Sequence, residues 1–145
     1  MARRRCETGD ASYLRGRLLN TFLINLSEGA PPRLRVPLLN IKEAILGRRY
    51  RLSVAFLPPR RMRVYNRRYR GKDEPTDILS FPLGPLSGEI LLSPAEARRR
   101  ARPFCRRGED FILFLFIHGL LHLKGMRHGS KMEREERTFR KRFGI

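Results

Sequence analysis

Apolar residues along this chain switch between a two-residue rhythm and a helical one, and the switches mark its elements. The run at 21–26 (TFLINL) has the aromatic and β-branched content of a strand. Gly29, Ala30, Pro31 and Pro32 break it. Across 34–46, Val36, Leu38, Leu39, Ile41, Ala44, Ile45 and Leu46 suit an amphipathic helix, and Gly47 is placed to end it. Over 50–57, Leu52, Val54 and Phe56 alternate on one face and predict a strand. Pro58 and Pro59 stop that strand. The segment 60–70 then carries Met62, Tyr65, Asn66 and Tyr69 at helical spacing, with arginines on its other faces. A polar turn at 71–75 leads to a strand at 77–83, with Pro82 near its end, where a strand tolerates it. Gly84 and Pro85 turn the chain into a further strand at 88–92, which predicts a hairpin.

Signals for a helix start agree at Ser93: serine can cap, Pro94 suits the first turn and Glu96 sits where a capping box wants it. Arg98, Arg99, Arg100 and Arg102 follow on that helix. A loop is predicted at 103–110 and a central apolar helix at 111–123, ended by Gly125. Ser130 and Glu133 offer a second capping box for a charged last helix that ends near Phe143. The mixed order predicts an α+β fold, a single domain with a small mixed sheet packed with helices. A basic lead-in at 1–19 precedes the domain at 20–145, with no internal repeat and no low-complexity linker.

The 145 residues, 41% of them hydrophobic, suffice for one core and exclude wholesale disorder. Charge changes the picture more. Lys and Arg number 32 against 14 Asp and Glu, a net charge of +18 carried mostly by arginine. Such a chain attracts polyanions, nucleic acid before anionic membrane, and arginine grips phosphate in a two-pronged way. A GC-rich genome or a hot habitat also enriches arginine, so charge names a partner class and no chemistry. Cys6 and Cys105 lie far apart, with neither metal-ligand spacing nor a disulfide framework, which fits a reducing compartment. The longest apolar run, 111–123, is too short to span a bilayer, and no cleavable leader is visible. The sequence therefore predicts a cytoplasmic protein that does not engage a membrane.

Chemistry concentrates in three histidines, all of those the chain has: His118, His122 and His128. The first two are one helical turn apart, so both rings project from one face. Gly125 lets the backbone leave the helix, and His128 can then swing back to the same point. Three neutral imidazoles suit one zinc ion at roughly 2.0–2.1 Å and leave a fourth tetrahedral position for water, as in a catalytic site. Zinc lowers the pKa of such a water to roughly 7. A lone histidine on an apolar helix is usually a satisfied core residue. Three at ligand spacing, two of them in an apolar helix, are hard to assign to packing, because burying them costs free energy unless something binds them. The pattern also matches the long zinc-protease signature except at Gly119, where those enzymes carry the glutamate that serves as general base. That difference weighs against peptide hydrolysis.

The segment 69–82 (YRGKDEPTDILSFP) resembles the R-G-K-D-x-P-T-D-V-L-S-F-P segment of the bacterial YbeY family. Gly88, Glu89 and Ile90 resemble the G-D-I strand of that family, and 118–128 resembles its H-G-x-L-H-L-x-G-x-x-H segment. The three motifs stand in the family's order over nearly the whole chain. The resemblance implies an α+β fold with the metal in a cleft. It also implies a single-strand-specific metallo-endoribonuclease that matures the 3′ end of small-subunit ribosomal RNA and takes part in ribosome quality control. RNA and ribosomal particles would be its partners. By motif match His118, His122 and His128 would be the zinc ligands, and Arg70 aligns with a family arginine that acts on the RNA phosphate. Lys72 would assist by charge. Arg127 departs from the family, which has aspartate before the third histidine; a carboxylate that could orient a ligand imidazole is thereby lost. The lead-in is longer than the family pattern needs, and the C-terminal end is short.

Other roles follow from the residues. Asp73 and Asp77 read as turn and cap residues, and Glu89 as either an acceptor behind a ligand or a strand-end residue. Arg60, Arg61, Arg63, Arg67 and Arg68, with Arg98, Arg99, Arg100 and Arg102, form a candidate RNA track. Tyr65 and Tyr69 suit either base stacking or a core boundary. Three alternatives stay open: a zinc hydrolase of another class, such as a metalloprotease; a non-catalytic ribosome-associated RNA-binding protein; and a metal site that has lost its activity, a reading that Arg127 keeps open. In the second, zinc would be structural, and Cys6 or Cys105 would be the thiols available as a fourth ligand.

Overall fold

The computed structural model describes residues 22–25, 32–104 and 107–145. Its elements are β1 (Phe22–Asn25), α1 (Leu38–Leu46), β2 (Arg51–Phe56), α2 (Pro59–Arg70), β3 (Ile78–Gly84), β4 (Ser87–Leu92), α3 (Pro94–Ala101), α4 (Gly108–Leu123) and α5 (Ser130–Phe143). The fold is α+β, with a mixed four-stranded sheet in the order β1-β2-β4-β3. β1 and β2 are parallel because the chain returns through α1, and β2 is also parallel to β4. The tight turn after β3 makes its pairing with β4 antiparallel, the expected hairpin. The basic lead-in and both cysteines lie outside the described residues.

Alternation along the strands divides the core in two. Leu52, Val54, Phe56, Ile78, Ile90 and Leu92 face one way and pack with α1, α3, α4 and α5. Ala55, Leu79 and Leu91 face the other way and pack with Met62 of α2, flanked by Tyr65 and Phe81. Helix α4 is the hub. It touches α1, α3, α5 and both strands of the hairpin, and Ile112, Leu113, Phe116, Ile117, Leu120 and Leu121 are fully buried. Gly119 permits the closest approach: a Cβ there would stand 2.8 Å from both Ile78 Cδ1 and Ser80 Oγ.

Three boundaries differ from the pattern-based expectation, each for a local reason. Helix α1 starts at Leu38, not at 34, because Pro37 occupies the extended N-cap position and its ring disfavours helical geometry at Val36. Helix α4 starts at Gly108, with Glu109 and Asp110 in a first turn that favours negative charge. At α5 the expected capping box does not form. Gly129, at φ 149°, is the N-cap, and Ser130 is already helical. The Ser93 cap does form: its hydroxyl accepts from the Glu96 N–H at 3.4 Å. The Glu96 carboxylate pairs with Arg99 at 2.7 Å instead of reaching back. Among the described residues no helix is long and apolar enough to cross a membrane.

Because Phe116 is wholly buried at the centre of α4, Phe116→Ala should cost about 3–5 kcal/mol of stability. Chemical denaturation followed by circular dichroism would measure it. A loss below about 1 kcal/mol would mean that α4 is not the hub of the core.

Candidate metal centre

Helix α4 delivers two imidazoles and the turn after it delivers the third. His118 and His122, one turn apart, point their Nε2 atoms at each other across 3.0 Å. The helix ends in a doubly bonded turn. The Gly125 N–H donates to the His122 carbonyl at 2.9 Å and the Met126 N–H to the Leu121 carbonyl at 3.0 Å. Gly125 takes φ 96°, which a side chain would resist. This reversal sets the His128 ring 5.1 Å from that of His118 and 4.6 Å from that of His122, centre to centre. One nitrogen from each of the three rings lies within 4.8 Å of the others, a group that could hold a metal ion.

Two acceptors orient the first two rings. The Glu136 carboxylate of α5 meets Nδ1 of His118. The Met126 carbonyl meets Nδ1 of His122 at 3.0 Å. Ionised carboxylates and carbonyls only accept, so each Nδ1 carries the proton and each Nε2 turns a lone pair inward. Two lone pairs at 3.0 Å repel unless a cation lies between them. Nitrogens bound to one tetrahedral zinc at roughly 2.0–2.1 Å would sit about 3.4 Å apart, so a small adjustment admits the ion and the donor set fits it. Burial, then the neighbouring His118, lowers the His122 pKa from the usual imidazole range. This favours the neutral form that a metal requires. Phe114, one turn before His118, packs at 6.2 Å from that ring and limits its swing.

Glu136 is the residue that sequence reasoning missed. Arg127, before the third histidine, is exposed, and the carboxylate behind His118 is that of Glu136 in α5. A signal existed. Met132 and Phe139 form the buried stripe of α5, and Glu136 lies on the same stripe, four residues after one and three before the other. A charge in an apolar stripe asks for a partner.

The remaining candidates are placed as follows. Arg70 ends α2, and Gly71, left-handed at φ 68°, turns the chain before Lys72. Both side chains are exposed, and neither makes a hydrogen bond or ion pair among the described residues. Asn66, buried in α2, secures the loop beyond them. Its side chain donates to the Glu74 carbonyl at 2.9 Å, and its own carbonyl accepts from the Lys72 N–H at 3.4 Å. Asp73 is held by Arg63 in a two-pronged pair at 2.9 and 2.8 Å, which lowers its pKa. Asp77 is buried, with Arg100 at 3.3 Å from its carboxylate, and its carbonyl accepts from Ser93. Glu89 sits half-buried within β4 with no side-chain partner among the described residues, while the acceptor behind His118 is Glu136.

A family model described as Endoribonuclease YbeY matches residues 35–143. A protein of that name from Aquifex aeolicus is 38% identical over 95 residues, covering 61% of this chain and 63% of its own length. One from Geobacillus kaustophilus is 39% identical over 102 residues, covering 60% and 64%. The chain thus spans less than two thirds of the length of each of these two relatives. The solution structure of TM1509 from Thermotoga maritima is similar with a TM-score of 0.62 at 29% identity, over 82% of this chain and 86% of that one.

The arrangement makes Glu136→Gln informative. The amide keeps the shape but loses the charge that fixes the His118 proton, so zinc affinity should fall about 10–100-fold. Competition with a chelator of known affinity would measure it, and an unchanged affinity would remove Glu136 from the site. Gly125→Ala should cost about 1–2 kcal/mol through its positive φ alone, since nothing lies within 4 Å of the new Cβ. Denaturation of the metal-free protein reads that cost.

Proposed function

The chain belongs to the YbeY family, and on that premise we propose that it is a zinc-dependent endoribonuclease that cleaves single-stranded RNA. The reading extends to maturation of the 3′ end of small-subunit ribosomal RNA and to ribosome quality control, with ribosomal particles as partners in the cytoplasm. The observation that carries it is the convergence of three imidazoles, two of them held by acceptors at Nδ1.

His118, His122 and His128 would hold the ion. When bound by these residues, zinc would supply Lewis acidity to water or to a phosphoryl oxygen. Glu136 keeps the proton on Nδ1 of His118, and the Met126 carbonyl does the same for His122, so both rings stay aimed. Arg70 is the clamp for the scissile phosphate and its developing charge, and Lys72 adds positive potential beside it. The net charge of +18 draws the RNA strand in.

Packing around Gly119 favours the nuclease over the protease alternative. A glutamate following His118 would have to enter the space held by Ile78 and Ser80. The base of the zinc-protease signature therefore has no room here. His128 is exposed, which favours an open, reactive centre over a closed structural one.

The test incubates the purified protein with a single-stranded fragment from the 3′ end of small-subunit ribosomal RNA, with and without zinc, beside His122→Ala. Metal content is measured in the same samples. Cleavage that follows the metal and disappears in His122→Ala is the expected result. Stoichiometric zinc without cleavage in any form would overturn the nuclease reading. Arg70→Ala should slow cleavage about a hundred-fold at unchanged zinc content; an unchanged rate would free Arg70 of its role.

A further inference from the structure

The face of the sheet opposite the histidines carries a group of rings at the margin of the core under α2. The core under α2 holds Ala55, Leu57, Met62, Leu79 and Leu91, and Tyr65 and Phe81 pack against it. Those two rings are half-buried, and Tyr69 beside them is 54% exposed. The Tyr65 and Tyr69 rings lie parallel within 6°, 6.2 Å apart. Phe81 meets Tyr69 at 5.0 Å and a 57° tilt. Arginines border the rings: Arg68 lies 5.5 Å from the centre of Tyr69 and Arg61 6.0 Å from that of Tyr65. Helix α2 carries Arg60, Arg61, Arg63, Arg67, Arg68 and Arg70 and no acidic residue.

We propose that Tyr65, Tyr69 and Phe81 form a stacking surface for unpaired RNA bases, bordered by Arg61 and Arg68 and set away from the phosphate at the histidines. The proposal rests on the ribonuclease reading and adds the site that would recognise the strand beside the cut. Rings offer a face to any base, and arginines take the backbone, the combination that binds single strands without reading sequence. Duplex RNA cannot use such a surface, because its bases are already stacked.

The fold supplies a route between the two places. β3 is the edge strand of the sheet. Phe81 lies on its α2 side. The neighbouring Ser80 faces α4, where its hydroxyl would meet a Cβ on Gly119 at 2.8 Å, beside His118. A strand that rounds the edge of β3 passes from the rings to the metal centre.

The test compares the zinc-loaded protein with Tyr69→Leu and Tyr69→Phe. Two probes of equal charge are used: a 2′-O-methyl oligoadenylate of about twelve nucleotides, within the span such surfaces cover, and an abasic strand of the same length. Wild-type protein should bind the oligoadenylate roughly ten-fold or more tightly than the abasic strand. Tyr69→Leu should lose most of that preference while binding the abasic strand as before, and Tyr69→Phe should keep it. The chain has no tryptophan, so its emission is that of tyrosine, and oligoadenylate should quench it less in Tyr69→Leu. Full preference and full quenching in Tyr69→Leu, or no preference in wild-type protein, would overturn the stacking site and leave the nuclease reading intact. Failure of wild-type protein to bind either strand would sink the RNA reading itself and the stacking site with it.

Discussion

Helix α4 has to bury almost its whole circumference and still present two imidazoles on one strip, and the rest of the molecule is arranged around that double demand. A helix that is apolar all round is stable only when surrounded, and here α1, α3, α5 and the β3–β4 hairpin surround it. The strip that remains carries His118 and His122, both half-buried. Polar rings in that position need partners for both nitrogens. Glu136 and the Met126 carbonyl satisfy the outer nitrogens. The inner ones are left facing each other, and that is the feature that suits the cluster to a metal ion. Core packing and ligand placement are thus fixed by the same helix, and His128 joins them only because Gly125 lets the chain double back.

The same packing explains why a protease-like spacing does not imply a protease. In the zinc-protease signature the glutamate lies one residue beyond the first histidine, and a helix turns about 100° per residue. That step takes the side chain from the imidazole strip toward a neighbouring layer. Here the layer is the hairpin, with Ile78, Ser80 and Ile90 against Gly119. Glycine at this point draws the sheet close to α4 and removes a general base in one substitution. Steric fit and chemistry therefore cannot be varied independently at this position.

Much of this was legible in the sequence, and the rest was hidden for identifiable reasons. Two-residue alternation located β2, and the proline and glycine breaks located α2 and the hairpin, because both signals are local. The histidine spacing gave the cluster, since i and i+4 share a helix face. The start of α1 was misread because the apolar pattern runs through Pro37, which steric exclusion at the preceding residue overrides. At α5 a serine three residues before a glutamate has the letters of a capping box, but Gly129, at φ 149°, occupies the N-cap and leaves Ser130 inside the helix. Glu136 was out of reach for a different reason. Its meaning depends on α5 folding back along α4, a tertiary contact that no local pattern encodes.

Acidic residues are scarce in this chain, and most of those with partners are committed to holding the frame. Asp73 ties Arg63 beside the loop after α2, Asp77 takes Arg100, Glu96 takes Arg99, and Asp110 takes Arg35. Glu136 alone among these faces an imidazole. A protein with 14 acids against 32 basic side chains leaves a strong positive field once these pairs are made, because each pair cancels one charge of each sign. Salt screens exposed charges over about 8–10 Å, so the field acts on a ligand that lies along the surface more than on one that meets it at a point. A flexible polyanion can follow the arginines of α2, whereas a compact substrate cannot. On the nuclease reading the metal centre would supply the reactive point, and the distribution of the other charges suits an extended polyanionic strand better than a small molecule.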